Sequence, residues 1–288
     1  CLGFTSLRSL AYDEGCDLLN ISEPEFLHHA WYPEDGLRSP LVKAVMQSRS
    51  GYLWFATDES LVRFDGVRFQ EIEIKGHSEQ RVDRWFVGLE ESSDGSIWAS
   101  SLKGGIIRIQ DDNITHYDTS SGLLTNYVLC IFEDSKQNLW VGTALGLNRF
   151  EDGHFVSYTN EPGLVVEAVR AITEDSKGNL WIGTAKGLSV MGNGKFQTYT
   201  TADLLIFDGI LSLYEDQQGR FWIGTSVGLT CLADGKPMHF TTDEGLAHNT
   251  VRAIFQDRTG NVWIGTQGGF QRFHEGRFFN IRLGDTTS

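Results

Sequence analysis

Short runs of apolar and polar residues, separated by turn residues, recur along almost the whole chain. Each period of about 41 residues contains four such runs, and in the fourth period they cover residues 168–174, 179–184, 187–191 and 195–199. Runs of this length and alternation are typical of β-strands, and the sequence Asp-Ser-Lys-Gly between the first two runs is typical of a tight hairpin turn. The pattern predicts four antiparallel strands per period and excludes a helical solenoid.

One tryptophan marks each period, and the spacings between successive tryptophans are 44, 42, 41, 41 and 41 residues. The six tryptophans are Trp54, Trp98, Trp140, Trp181, Trp222 and Trp263. The later copies share the sequence WIGT, whereas Ala56 and Ser100 stand where most copies have glycine, and Gln137 replaces a turn glycine. Six repeats of four strands predict an all-β protein, a β-propeller with six complete blades.

The ends of the chain predict a larger ring. Residues 26–32 match the fourth run of a repeat, so they are expected to form an N-terminal outer strand without a blade of its own. Six complete blades and this additional outer strand together predict that the sequence is part of a seven-bladed ring. The propeller is predicted to span residues 26–283, with an irregular leader at residues 1–25 and a truncated tail at residues 284–288.

Two positions in each repeat, ten and nine residues before the tryptophan, predict how the blades pack. The residue ten positions earlier is always small, and the residue nine positions earlier is always a branched aliphatic, so both faces of the innermost strand are expected to be buried. Cys130 occupies the small position, which indicates a core residue and not a reactive thiol. Each tryptophan is interpreted as a filler between blades, the alternative being a stacking platform for sugars.

The repeat resembles a known family. The sequence GNLWIGT, followed by Gly-Leu, by a Gly-x-Phe at residues 194–196 and by Tyr-Thr at residues 199–200, is similar to the two-component regulator propeller repeat. Residues 30–37 and 61–69 resemble the first blade of such sensors. The resemblance covers about residues 26–282 and is specific for the repeat, but it does not identify a ligand.

The resemblance implies a non-catalytic sensor module, periplasmic or extracellular, at the N-terminal part of a bacterial signalling receptor. Members of this family usually continue into a second propeller, an immunoglobulin-like domain, a membrane helix and a cytoplasmic kinase or cyclase. The partner implied is a small-molecule or oligosaccharide ligand, or a further propeller domain of the same chain.

Charge and composition narrow the possible partners. The 288 residues carry 24 Lys and Arg against 38 Asp and Glu, a net charge of −14, which disfavours binding to nucleic acid. No uninterrupted apolar stretch is long enough to cross a membrane, so no membrane contact is expected from this region. The chain begins with Cys1 and its first methionine is Met46, which favours a piece of a longer protein.

The sequence contains no standard nucleophile, zinc or phosphate-binding motif, so no catalytic residue, metal or cofactor is expected. The eight histidines occupy mostly unmatched positions in the repeats. The aspartates that begin the hairpin turns could suggest calcium sites, but they lack the alternating acidic ligands of a calcium loop. The alternative function is a propeller enzyme of lyase or lactonase type, which would need converging histidines and carboxylates or a metal.

The candidate ligand site lies in loops that vary between copies. Loops before each innermost strand, and loops between the second and third strands, are expected to share one face of the propeller. The candidate ligand-binding residues are Lys43, Arg84, Trp85, Asn126, Tyr127, Arg170, Asn249 and Arg252. Cations beside aromatic rings would suit carboxylated or sulfated sugars, while the alternative is that they are solvated rim charges.

Overall fold

The computed structural model describes residues 35–74, 85–111, 113–159 and 161–281, all within one compact unit, Trp31–Ser288. They form six four-stranded antiparallel sheets, each with its strands in chain order, as the blades of a six-bladed propeller. The prediction of an all-β propeller is confirmed. The predicted leader at residues 1–25, the outer strand at residues 26–32 and the tail at residues 284–288 lie outside the described residues.

The strands follow the predicted runs to within about one residue at most ends. Blades 1 to 3 consist of β1 (Val42–Gln47), β2 (Leu53–Thr57), β3 (Leu61–Phe64), β4 (Phe69–Glu71), β5 (Phe86–Glu91), β6 (Ile97–Ser101), β7 (Gly105–Gln110), β8 (Asn113–Tyr117), β9 (Val128–Glu133), β10 (Leu139–Thr143), β11 (Gly146–Glu151) and β12 (His154–Tyr158). Blades 4 to 6 consist of β13 (Val169–Glu174), β14 (Leu180–Thr184), β15 (Gly187–Gly192), β16 (Lys195–Tyr199), β17 (Ile210–Glu215), β18 (Phe221–Thr225), β19 (Leu229–Ala233), β20 (Lys236–Phe240), β21 (Val251–Gln256), β22 (Val262–Thr266), β23 (Gly269–His274) and β24 (Arg277–Asn280). Two short 3-10 turns, Thr119–Ser121 and Thr242–Glu244, lie in loops between blades.

Each innermost strand begins with a β-bulge, as between Val169 and Ala171 in β13. After the bulge the small residue points toward the next blade. In blade 3 the thiol of Cys130 donates a hydrogen bond of 3.7 Å to the carbonyl oxygen of Val169 in blade 4. Burial raises the pKa of that thiol to about 12. Cys130 is partly buried and packs against the apolar cluster between blades 3 and 4, in agreement with the packing role predicted from the sequence.

The small residues of the first two strands of a blade form matched pairs. Cys130 pairs with Gly142, and Gly88 pairs with Ser100. A Cβ atom on Gly142 would lie 2.4 Å from the Cys130 Sγ, and a Cβ atom on Gly88 would lie 2.7 Å from the Ser100 Oγ. In these two blades the glycine therefore makes room for the side chain of its partner, and in blade 2 the glycine of the pair lies on the innermost strand. Blade 1 has alanine at both positions, Ala44 and Ala56.

The tryptophans pack between blades. Trp140 and Trp222 are almost fully buried, with exposures of 1% and 0%, among aliphatic side chains that include residues of the following blade. The ring of Trp181 stacks on Phe221 of blade 5 at a centroid distance of 3.8 Å. The interpretation of the tryptophans as fillers between blades is confirmed at these positions.

A second inter-blade contact recurs at five boundaries and involves the residue seven positions before each tryptophan. Its side chain accepts a hydrogen bond from a backbone N–H in the hairpin turn of the preceding blade, and we call this contact the latch. The latches join Glu91 to Arg49, Glu133 to Ser93, Glu174 to Ser135, Glu215 to Ser176 and Gln256 to Gln217, at 2.5 to 2.7 Å. Each latch ties the turn of one blade to the innermost strand of the next.

Removing one latch should destabilise the propeller. We expect Glu174→Ala to lower the free energy of unfolding by about 1 to 2 kcal/mol, because the Ser135 backbone N–H and hydroxyl lose their shared acceptor. Glu174→Gln should lose less than half as much, because Gln256 makes the same contact naturally. The measurement is urea unfolding, with Glu275→Ala as a solvent-exposed control. Equal stability of Glu174→Ala and the parent would contradict a stabilising role for the latch.

Candidate functional site

The candidate site is the end of the blades formed by the loops between blades and by the turns between second and third strands. We call it the loop face. The two sets of loops are joined by backbone hydrogen bonds, because Ala144 N–H donates to the Tyr127 carbonyl and Leu102 N–H donates to the Trp85 carbonyl, at 2.9 and 2.8 Å. The predicted sharing of one face by both sets of loops is therefore observed.

Large apolar side chains are concentrated on the loop face. Trp85 is 38% exposed and Tyr127 is 45% exposed, and both lie at the start of an innermost strand. The same loops expose five further apolar side chains, namely Leu41, Leu145, Val166, Phe207 and Val227. These seven make up more than half of the twelve strongly exposed large hydrophobic residues in the described part of the chain. Such a concentration on one face is typical of an interaction surface.

Cationic side chains occur on the same face, and one of them contacts an exposed ring. The ammonium of Lys43 in blade 1 lies 5.9 Å from the centre of the Trp85 ring in blade 2, within the range of a cation–π contact. Arg170 and Arg252, which occupy the position of Lys43 in blades 4 and 6, are exposed. Neither arginine has an ion-pair or hydrogen-bond partner within the described ranges. Arg84 lies outside the described residues.

The nearest acidic residue of the loop face in blade 4 is already paired. Glu167 forms an ion pair with Lys186, and both side chains lie in loops of the same blade. Glu167 could have neutralised Arg170, since the two residues lie only three positions apart in the sequence. The Lys186 pairing leaves the Arg170 guanidinium available to an anion from solution.

Two amides of the predicted site shape the loops between blades. The Oδ1 atom of Asn126 accepts a hydrogen bond from the backbone N–H of Thr119 at 2.9 Å, and Asn249 accepts one from Thr242 at 2.8 Å. Asp208 makes the equivalent contact in blade 5. These side chains hold the loop that presents the neighbouring aromatic and cationic residues. Ligand contact by Asn126 and Asn249 stays a prediction.

The opposite face carries the aspartates of the hairpin turns. In blade 4, Asp175 accepts backbone hydrogen bonds from Lys177 and Asn179 and a 2.8 Å hydrogen bond from the indole N–H of Trp181. Burial alone would raise the pKa of Asp175, but the hydrogen bonds from Asn179 and Trp181 outweigh it and hold the pKa below its usual range. Gln137 completes the third of these turns with a φ of 66°, in the left-handed region otherwise taken by glycine. The carboxylates are therefore engaged in holding turns and indoles.

The residues that could bind a metal ion are dispersed in the described part of the chain. No three His, Cys, Asp or Glu side chains among them are placed to hold a metal ion. His239 contacts Thr230 of its own blade, and His248 accepts the backbone N–H of Thr250 two residues away. The lyase or lactonase alternative required converging histidines, and these histidines are instead engaged locally.

One largely buried carboxyl has a strongly raised pKa, which the repeat pattern did not predict. Burial raises the pKa of Glu90 to about 7, with a further contribution from the nearby charges of Glu133 and Glu91. Its Oε1 atom accepts the backbone N–H of Glu133 at 3.3 Å, which offsets part of the shift. Glu90 occupies a position filled by Met46, Phe132, Thr173, Tyr214 and Phe255 in the other blades.

Glu90 should make stability fall as the pH rises. Because the pKa is raised from 4.5 to about 7 on folding, the folded state holds a proton that the unfolded state has lost in that interval. We therefore compare the free energy of unfolding of Glu90→Gln with that of the parent. The difference in favour of the variant should increase between pH 4.5 and pH 8, by up to about 3 kcal/mol. Urea unfolding across this range is the measurement, with Glu59→Gln as the exposed control. A gain that is independent of pH would contradict the burial of Glu90.

Four segments of the chain match the model of a known repeat family, and several solved structures are similar to the chain. The two-component regulator propeller family model matches residues 122–144, 163–186, 205–227 and 245–268. No protein among the curated sequences matches the chain. Within the described residues, no helix combines the length and the hydropathy that a membrane span requires.

Three solved structures place the chain among propellers. The extracellular domain of a protein described as a hybrid two-component system of B. thetaiotaomicron is 25% identical, with a TM-score of 0.77 over 89% of this chain and 37% of that one. The extracellular domain of a B. thetaiotaomicron protein described as a one-component system is 19% identical, with a TM-score of 0.60 over 85% of this chain and 43% of that one. A streptogramin B lyase is 18% identical, with a TM-score of 0.63 over 80% of this chain and 77% of that one, a likeness of fold alone. The chain thus spans less than half the length of either sensor domain.

Proposed function

The chain carries the repeats of the two-component regulator propeller family, and from this premise we propose that it is a non-catalytic ligand-sensing or interaction propeller of a bacterial signalling receptor. Its place is periplasmic or extracellular, as expected from its similarity to extracellular sensor domains. The observation that carries the proposal is the loop face, which combines the Lys43–Trp85 cation–π contact with the exposed guanidinium groups of Arg170 and Arg252 on a protein of net charge −14.

The two ends of the blades carry different kinds of residues, and this difference supports the loop face as the binding surface. The hairpin-turn end is occupied by latches and by aspartates that hold the tryptophans. The loop face is where the repeats differ most in side-chain chemistry, from Trp85 in blade 2 to Ala168 in blade 4 at the same position. A scaffold with fixed packing and variable loops suits recognition, because loops can change without disturbing the core.

The ligand class follows from the side chains. A guanidinium offers two parallel donors that match a carboxylate or a sulfate, and a desolvated aromatic ring can lie against the apolar face of a sugar. Lys43 and Trp85 place a cation and an aromatic ring together at the boundary between blades 1 and 2. Arg170 adds an exposed cation that has no ion-pair partner among the described residues. We therefore propose an acidic oligosaccharide as the ligand, with Asn126, Tyr127, Asn249 and Arg252 as further contacts.

Binding should depend on the two unpaired arginines. We expect Arg170→Ala combined with Arg252→Ala to weaken binding of an acidic oligosaccharide by about 2 kcal/mol or more, since charge-assisted hydrogen bonds contribute about 1.5 to 3 kcal/mol each. Isothermal titration calorimetry against a panel of carboxylated, sulfated and neutral oligosaccharides is the measurement.

The control removes the same charge from the opposite face. Lys136→Ala combined with Lys177→Ala changes two exposed cations in the hairpin turns, so it should leave binding unchanged. Unfolding midpoints of both double variants verify that the fold is intact. If the parent binds only neutral sugars, or if the arginine variant binds acidic sugars as well as the parent does, the proposed ligand site is wrong.

A further inference from the structure

The position thirteen residues before the tryptophan carries a large exposed side chain in blades 1 to 3 and a small residue in blades 4 and 5. The large residues are Leu41, Trp85 and Tyr127, and the small ones are Ala168 and Gly209. Two residues earlier in the chain the order is reversed, with Ser39, Asp83 and Thr125 in blades 1 to 3 and with Val166 and Phe207 in blades 4 and 5. Val166 is 46% exposed and Phe207 is 41% exposed. Blades 4 and 5 therefore supply the large apolar side chain of the loop face from a different position.

In blade 5 this exchange places an aromatic ring in the space of the missing side chain. A Cβ atom on Gly209 would lie 2.8 Å from the Cε1 atom and 3.3 Å from the Cδ1 atom of Phe207. The next atom, the carbonyl oxygen of Ala185, would lie at 3.6 Å, which is an ordinary contact. The Phe207 ring thus takes the place that the side chains of Trp85 and Tyr127 fill in blades 2 and 3.

The loop that carries Phe207 is held on both sides of the ring. Leu205 is 4% exposed and belongs to the apolar cluster between blades 4 and 5. The Oδ1 atom of Asp208 accepts the backbone N–H of Thr201 at 2.7 Å, and Ile210 is fully buried. An exposed ring on a held loop is preorganised for contact with a ligand, because little conformational freedom is lost on binding.

The register of the repeats gives this ring a cationic neighbour. Lys43 stands eleven residues before the tryptophan of blade 1, and its ammonium lies 5.9 Å from the centre of the Trp85 ring in blade 2. Arg170 occupies the position of Lys43 in blade 4 and is exposed. Arg170 therefore stands to the Phe207 ring of blade 5 as Lys43 stands to the Trp85 ring of blade 2.

Backbone contacts at the boundary between blades 4 and 5 support this equivalence. Ala185, in the turn between β14 and β15, donates its N–H to the carbonyl oxygen of Ala168 at 3.1 Å. Ala168 lies two residues before Arg170. The carbonyl oxygen of the same Ala185 lies 3.6 Å from the Cβ position of Gly209, beside the Phe207 ring. Arg170 and Phe207 are thus both attached next to one turn residue.

We propose that Phe207 and Arg170 form a second ligand subsite at the boundary between blades 4 and 5, equivalent to Lys43 and Trp85 at the boundary between blades 1 and 2. The Phe207 ring contacts the apolar face of one sugar unit, and the Arg170 guanidinium binds the carboxylate or sulfate of that unit. This inference rests on the proposed function and adds Phe207 to the residues that bind the ligand. Because the two subsites lie three blades apart, the ligand is expected to carry at least two acidic units.

The test removes the ring and then returns it from the neighbouring position. Calorimetry measures binding of a galacturonate tetrasaccharide, a sulfated galactose tetrasaccharide and a neutral glucose tetrasaccharide. Phe207→Ala and Phe207→Leu should each weaken binding of the acidic tetrasaccharide about tenfold, because both lose the ring although leucine keeps an apolar side chain. Phe207→Ala combined with Gly209→Tyr should restore most of the affinity, because the new ring stands where blade 3 has Tyr127. Phe255→Ala removes a 60% exposed phenylalanine outside the loop face and should leave the affinity unchanged.

A double-mutant cycle tests whether Phe207 and Arg170 act on the same sugar unit. In an Arg170→Ala background, Phe207→Ala should weaken binding by about threefold or less, because contacts to one unit are not independent. In a Lys43→Ala background the full effect of about tenfold is expected, because distant sites contribute independently. Equal effects in the two backgrounds would contradict a shared subsite.

The outcomes separate this inference from the proposed function. The subsite is wrong if the parent binds an acidic tetrasaccharide and both Phe207 variants bind it equally well, or if Gly209→Tyr restores nothing in a variant with an intact unfolding midpoint. A parent that binds only the neutral tetrasaccharide overturns the acidic ligand. The Phe207 variants are then compared on the neutral sugar, where unchanged binding overturns the role of the ring as well. A parent that binds none of the three overturns both proposals.

Discussion

Blades 1 to 5 each bury their tryptophan-bearing face against the apolar face of the next blade, and the rest of the structure depends on this contact. A four-stranded sheet alone exposes two apolar faces, so it gains most of its stability from neighbours. Trp222 illustrates the dependence, since it is fully buried among residues such as Val262 and Ile264 of the following blade. The latches set the register of this packing at the turn end, where Glu215 holds the hairpin of blade 4.

The packing between blades involves residues other than those of the loop face, so different residues serve stability and recognition. Packing restricts the first two strands of a blade, where a Cβ atom on Gly142 or Gly224 would lie within 3 Å of atoms in neighbouring strands. On the loop face, Trp85, Lys43 and Arg170 provide side-chain chemistry that differs from blade to blade. Asn126 and Asn249 connect the two roles, because their hydrogen bonds hold the loops on which the exposed residues stand.

Periodicity in the sequence was sufficient to predict the strands, the blade count of the described region, the small inner positions and the packing role of the tryptophans. Those features repeat along one chain, so comparing copies exposes them. The latch was missed although Glu or Gln occurs seven residues before every tryptophan, because its partner lies about 40 residues away in another blade. The raised pKa of Glu90 and the pairing of Glu167 with Lys186 depend on burial and side-chain placement, which no single repeat encodes.

Native-state hydrogen exchange tests most directly whether contact between blades controls stability. The account predicts that amides of β5, β9, β13 and β17, which have a blade on both sides, exchange about tenfold or more slowly than those of β1 and β21, which each contact a blade on only one side within the described residues. Equal protection of all six innermost strands would contradict it, because the blades would then be stable without their neighbours.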